Sequence, residues 1–192
     1  MPDPYVRCYI TDRHTLPART TLLDCIARNL AEGIEYIQIR EKDLSARDLY
    51  DLTKRVLDLP NPHGSKILLN TRVDVALATG AAGAHLPAGS PAPQRWRAYA
   101  PPGFLIGVSC HTLDEIRAAQ DDGADYAVFG PVFAPRSKAT DLEPRGIGGL
   151  AQAAHAVHIP ILALGGITNA NAQDCIQAGA AGVAAISLYQ SC

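Results

Sequence analysis

Three short stretches hold the side chains best suited to chemistry. In Gln38-Ile39-Arg40-Glu41-Lys42, two cations follow a carboxamide. Strand alternation sends Gln38 and Arg40 to one face and Ile39 to the other. Arg40 and Lys42 at a strand end can hold a carboxylate or a phosphate; a rim ion pair with Glu41 or Asp43 is the competing reading. In Ser109-Cys110-His111, the histidine is the best acid–base candidate because it titrates near neutrality. As an alternative it simply opens the next helix. Cys110 and His111 are neighbours whose side chains diverge at a strand end, so Cys110 reads as a small packed residue and not as a nucleophile. Gly165-Gly166-Ile167-Thr168, with Ile186-Ser187 further on, suits a phosphate, since glycine lets the backbone approach a ligand and helix-terminal N–H groups bind anions. Two tight turns are the plainer reading.

Single residues add to these. Asn70 can hydrogen-bond a heterocycle or cap the helix that follows. Asp74 pairs more naturally with Arg72 than with a ligand. His85 lies inside an apolar run and reads as a satisfied core histidine. Segment 134–148 carries Arg136, Lys138 and Arg145 among glycines and prolines. A loop of that length in a compact fold is usually functional or mobile; it would form a cationic lid over an anionic ligand, or a solvated loop with no specific role. His14, His63, His155 and His158 carry no site signal.

These groups need a frame that brings strand ends together. Short apolar runs at 6–10, 36–40, 66–70, 83–86, 105–109, 126–129, 161–164 and 182–186 read as parallel strands covered on their outer face. Stretches 21–32 and 45–57 repeat apolar residues at three- and four-residue spacing, as amphipathic helices do, and Thr112 with Glu115 forms a capping box. Gly33, Gly80, Gly123 and Gly179 each close a helix and open a strand, where a left-handed residue is wanted. They recur at about 45–55 residues, two βα units apiece. Eight strands alternating with helices predict an α/β fold, a (βα)8 TIM barrel, as a single domain over 1–192. Only six residues follow the eighth strand, so the eighth helix is missing or truncated. The outer face of strands 1 and 8 then needs another cover, for which a homodimer partner is a candidate.

Bulk properties exclude several classes. Among 192 residues 47% are hydrophobic, 19% are charged and the net charge is −2, which suits a folded core and not a disordered chain. No basic cluster offers a nucleic-acid footprint, and no apolar run predicts a membrane span or leader. The five cysteines form no metal-binding spacing and read as reduced thiols of a cytoplasmic protein.

The stretches YIQIREKDLSARDL, LLNTRVDVAL, IGVSCHTLDEI, GADYAVFGPVF, RGIGGL and IPILALGGITNANAQDCIQAGAAGVAAIS resemble the thiamine phosphate synthase superfamily, in order and over nearly the whole chain. The resemblance implies a barrel enzyme that joins an aminopyrimidine diphosphate to a thiazole phosphate and releases pyrophosphate. It implies ligand-binding roles for Gln38, Arg40, Lys42, Asn70 and the loop Lys138, and a thiazole-phosphate cradle of Gly166, Ile186 and Ser187; Ser109 and Gly165 flank these positions. Two departures stand out. Thr71 occupies the place of one Mg²⁺-holding acid, and Pro87-Ala88-Gly89-Ser90 the place of others. Pro135 and Ser137 also replace threonines. HLPAGSPAP resembles instead the TenI branch of thiazole tautomerases. The expectation is therefore a metal-independent isomerase, a thiazole tautomerase with His111 as acid–base group and no cofactor. A thiamine phosphate synthase, which would need Mg²⁺, is the first alternative, and a non-catalytic thiazole-phosphate-binding regulator the second.

Overall fold

Eight strands close on themselves: β1 (Val6–Ile10), β2 (Tyr36–Ile39), β3 (Lys66–Asn70), β4 (Gly83–Leu86), β5 (Leu105–Cys110), β6 (Tyr126–Phe129), β7 (Ile161–Leu164) and β8 (Gly182–Ala185). Each pairs in parallel with its neighbours in sequence, and β1 pairs with β8 to complete the barrel. Between them run α1 (Leu22–Ala31), α2 (Ala46–Leu57), α3 (Val73–Thr79), α4 (Gln94–Arg97), α5 (Leu113–Asp121), α6 (Gly146–His155) and α7 (Ala172–Gln177), and α8 (Ser187–Gln190) follows β8. The structure, a computed structural model, describes residues 5–134 and 142–190. No helix among these is long and apolar enough to cross a membrane.

Local chemistry explains the boundaries. Thr21 and Thr112 accept from the N3 backbone while Asp24 and Glu115 reach back to the cap, a reciprocal box at the starts of α1 and α5. Ser45 caps α2 through Asp48 N–H. Gly33, Gly80, Gly123 and Gly179 all have left-handed φ, between 71° and 96°, at the ends of α1, α3, α5 and α7. Three strand ends differ from the sequence expectation. β2 stops at Ile39 because the Arg40 N–H turns to the Thr11 hydroxyl at 2.9 Å. β5 runs on to Cys110, which pairs with Phe129. β8 stops at Ala185, since the Ile186 carbonyl already accepts from Tyr189 N–H in the turn of α8.

The core lies in two shells. Cys8, Ile10, Leu68, Tyr126, Val128, Leu162 and Ala184 fill the barrel interior. Outward-facing residues such as Ile37, Leu69, Ile106, Ala127 and Val183 pack beneath the helices. Alternation puts Gln38, Asn70, His85, Gly107 and Ser109 on the inward series of their strands.

The truncated eighth helix is borne out, and the chain itself supplies much of its cover. Tyr189 packs on Tyr9 with ring centroids 6.2 Å apart. The Tyr189 carbonyl accepts from Arg28 Nη2 and Asn29 Nδ2 of α1, each at 3.0 Å. Gln190 is buried, donating to the Tyr9 hydroxyl at 3.2 Å and to the Asp12 carbonyl at 2.8 Å.

Candidate active site

The predicted polar residues gather at the carboxyl ends of the strands. Gln38 is 3% exposed and its carboxamide makes no hydrogen bond to the described residues. Its donor and acceptor are thus both left over for a ligand at the barrel mouth. Arg40 stands next on the same face of the chain, and its guanidinium has no ion pair among the described residues. Arg13 makes a rim ion pair, reaching Glu41 at 3.0 Å and Asp43 at 2.5 Å. Hydrogen bonding to Arg13 holds the Asp43 carboxyl down at about 2. Glu41 is buried and also accepts from the Thr11 hydroxyl at 2.6 Å. Sequence reasoning missed this cluster, because Arg13 lies 28 residues before Glu41 and only the β1–β2 pairing brings them together.

At the end of β3, Asn70 does not cap α3. Its Nδ2 donates to Thr71 Oγ1 at 2.9 Å. Thr71 has φ 66°, one of two non-glycine residues with positive φ among the described residues, a strained setting for a β-branched side chain. Asp74 is engaged by Arg72 at 2.6 Å, as its spacing suggested. Glu41, Lys42, Asn70, Thr71 and Arg72 line a groove of about 300 Å³ over Ile39 and Leu49.

His85 pairs with Asn70 and with Gly107 across the sheet. It is the satisfied core histidine the sequence suggested: Nε2 meets Ser109 Oγ at 2.8 Å and Nδ1 meets the Tyr126 hydroxyl at 3.1 Å. Burial pushes its pKa down to about 4, so the ring is neutral near pH 7. Tyr126 reaches β4 because Gly107 has no side chain, a signal already present as an isolated glycine in a strand. Cys110 packs outward in the shell under the helices, and burial raises its thiol to about 12, which rules out a ready thiolate. His111 follows it with Nδ1 2.6 Å from the Gly130 carbonyl. A carbonyl only accepts, so Nδ1 carries the proton, and in the neutral ring Nε2 is left with a lone pair.

On the far side, Gly165 and Gly166 have φ of 99° and 63°. A Cβ on Gly165 would lie 2.6 Å from Pro131 Cβ, and one on Gly166 would lie 2.6 Å from the Ala134 carbonyl oxygen. Only glycine lets β7 and the start of the β6–α6 segment run this close. Phe133 N–H donates to the Gly165 carbonyl at 3.0 Å. Ile186 is part of the interior wall, and Ser187 is the exposed first residue of α8. Lys138, Arg136 and most of the expected cationic lid lie outside the described residues.

Among the described residues Mg²⁺ finds no carboxylate corner at these strand ends. Among the described residues no three His, Cys, Asp or Glu side chains converge as metal ligands. The groups at the relevant strand ends are Thr71 and Ser90, both neutral, and the nearby Glu41 and Asp74 are held by Arg13 and Arg72.

A closed eight-stranded parallel barrel with polar groups collected at its carboxyl-end mouth defines the (βα)8 class in which ligands bind at that face. The family model described as thiamine monophosphate synthase matches residues 7–188, and the chain belongs to that family. A putative thiamine-phosphate synthase of Geobacter sulfurreducens is 48% identical over 179 residues, 93% of this chain and 83% of the relative. The thiamine-phosphate synthase of Chlorobium luteolum is 40% identical, over 97% of this chain and 85% of the relative. A solved thiamine phosphate pyrophosphorylase from Pyrococcus furiosus superposes with a TM-score of 0.84 at 31% identity, covering 98% of this chain and 89% of that one.

These relatives correct the tautomerase expectation, and with it the isomerase assignment. The similarity spans the chain, and each of these proteins is named for the synthase or pyrophosphorylase. The tautomerase reading leaned on Thr71 and on 87–90, two rim positions. Rim loops vary more readily than the strands that build the barrel, so a changed corner is weaker than a match running through every strand.

Proposed function

We propose that this chain is a thiamine phosphate synthase, a transferase joining an aminopyrimidine diphosphate to a thiazole phosphate. The bond from the pyrimidine's methylene carbon to the diphosphate oxygen breaks, pyrophosphate leaves with the electron pair, and the thiazole nitrogen bonds to that carbon. The observation that carries the reading is the 48% identity to a putative synthase across 93% of the chain. The unpaired carboxamide of Gln38, with Asn70 on the neighbouring strand, suits an aminopyrimidine. Arg40, Lys42 and Lys138 are the cations for the diphosphate, and Gly165, Gly166, Ile186 and Ser187 are the cradle for the thiazole phosphate. Ser109 supplies a hydroxyl between the two substrates. His111 borders the same mouth and offers Nε2 as an acceptor.

The donor set at Thr71 and Ser90 does not fit a carboxylate-held Mg²⁺, so no step is routed through one. Charge on the leaving pyrophosphate falls to the cationic side chains, whose value grows as water is excluded. The test is direct. The purified chain, given both substrates and Mg²⁺, forms thiamine phosphate and pyrophosphate in equal amounts, followed by chromatography. Binding of thiazole phosphate without any product would overturn the enzyme reading in favour of a non-catalytic binder.

A further inference from the structure

The three-residue chain inside the barrel has a direction. Tyr126 is 2% exposed, and its hydroxyl has one hydrogen-bond partner among the described residues, His85 Nδ1 at 3.1 Å. A phenol has one proton to give. If Nδ1 carried a hydrogen, the Tyr126 proton would be left buried with nothing to accept it, which folded proteins avoid. The proton therefore points from Tyr126 to Nδ1. His85 is itself 3% exposed and carries no acidic partner, so the ring holds a single proton, and that proton sits on Nε2. Nε2 then donates to Ser109 Oγ at 2.8 Å. With one lone pair of Ser109 occupied, its own hydrogen is turned away from the histidine and towards the mouth of the barrel, where Ser109 is partly exposed.

We propose that His85, locked by Tyr126, is a positioning residue that fixes Ser109 as a hydrogen-bond donor and so selects a ligand presenting an acceptor, a ring nitrogen or a phosphoryl oxygen, at that point. The direction of the chain follows from the protein alone; that the acceptor belongs to a substrate rests on the synthase reading. The same geometry explains Gly107. A Cβ there would lie 2.4 Å from the Tyr126 hydroxyl oxygen, so the glycine opens the lane through which the tyrosine reaches β4.

Two measurements on the full chain test this separately. Nitrogen-15 NMR of the ligand-free protein reads which imidazole nitrogen of His85 is protonated. The expected result is Nε2–H at a ratio above about ten to one, as an unmade buried hydrogen bond implies; Nδ1–H, or both nitrogens protonated at neutral pH, overturns the proposal whether or not the chain is a synthase. The second is a double-mutant cycle on KM and kcat with Tyr126→Phe and Ser109→Ala. Tyr126→Phe keeps the ring in its slot and removes only the hydroxyl. It is expected to raise KM several-fold in the wild-type background and to have no further effect once Ser109 is alanine. Equal effects of Tyr126→Phe in both backgrounds overturn the positioning role. Absence of turnover in the wild type would defeat the synthase reading and leave the NMR result standing.

Discussion

Gly107 and Tyr126 occupy one space: a Cβ at position 107 would lie 2.0 Å from Tyr126 Cζ. The two are register partners on β5 and β6, so neither backbone can move away without breaking the barrel ladder. Gly107→Ala should therefore destabilise the fold by about 1–3 kcal/mol through overpacking, read as a lower denaturation midpoint. Ejection of the tyrosine should also release the His85 tautomer, which the same NMR experiment detects.

His85 makes stability depend on pH in a defined direction. Its pKa falls from 6.5 to about 4 on burial. Between those values the unfolded chain binds a proton that the folded chain does not. Stability is thus complete above about 6.5, declines as pH falls, and levels off below about 4. The loss from this one group is about 3 kcal/mol. Urea denaturation across that range checks it, and His85→Gln should flatten this part of the slope.

Thr71 pairs backbone strain with a missing charge. At φ 66° aspartate is better tolerated than a β-branched residue, so Thr71→Asp should be neutral or stabilising by up to ~1 kcal/mol. Combined with Ser90→Asp it places two carboxylates where the wild type has none. Millimolar Mg²⁺ should then raise Tm in the double variant by mass action and leave the wild type unchanged. A wild-type Tm that climbs with Mg²⁺ would show that other donors hold the ion.

Glu41 joins the β1 and β2 rims. It accepts from Thr11 Oγ1, Arg13 N–H and Arg13 Nη1, and Thr11 in turn accepts from Arg40 N–H. Glu41→Ala leaves a buried hydroxyl and a cation short of a partner, a loss of about 2–4 kcal/mol. Because the connection ends at Arg40, KM for the diphosphate substrate should rise more than kcat falls. Steady-state kinetics on both substrates separates the two.

Much of the fold was legible because it is written locally. The four helix-ending glycines, the Thr112 and Glu115 box and the apolar runs each depend on residues a few positions apart, and all appear where the pattern puts them, apart from the one-residue shifts at the ends of β2, β5 and β8. The mouth was legible in outline: Gln38, Arg40, Asn70 and Ser109 are brought to one end by the strand-end rule. Arg13 with Glu41, and Tyr126 with His85, were not, because their meeting depends on strand register and on the space left by a glycine. The reaction was misjudged for a related reason. Thr71 and Ser90 report on a single corner, whereas the chemistry of a barrel mouth is set by all eight strand ends together.

The hydrogen bonds of Gln190 have a kinetic consequence. Its bonds to Tyr9 and Asp12 join residues 181 and 178 positions apart, and the β1–β8 ladder, from Val6 with Gly182 to Tyr9 with Ala185, spans nearly as much. Contacts between distant parts of a chain carry the largest entropy of loop closure and slow folding most. Closure of the seam between β1 and β8 is thus expected to be the slow step of barrel folding, later than pairing of the strands adjacent in sequence.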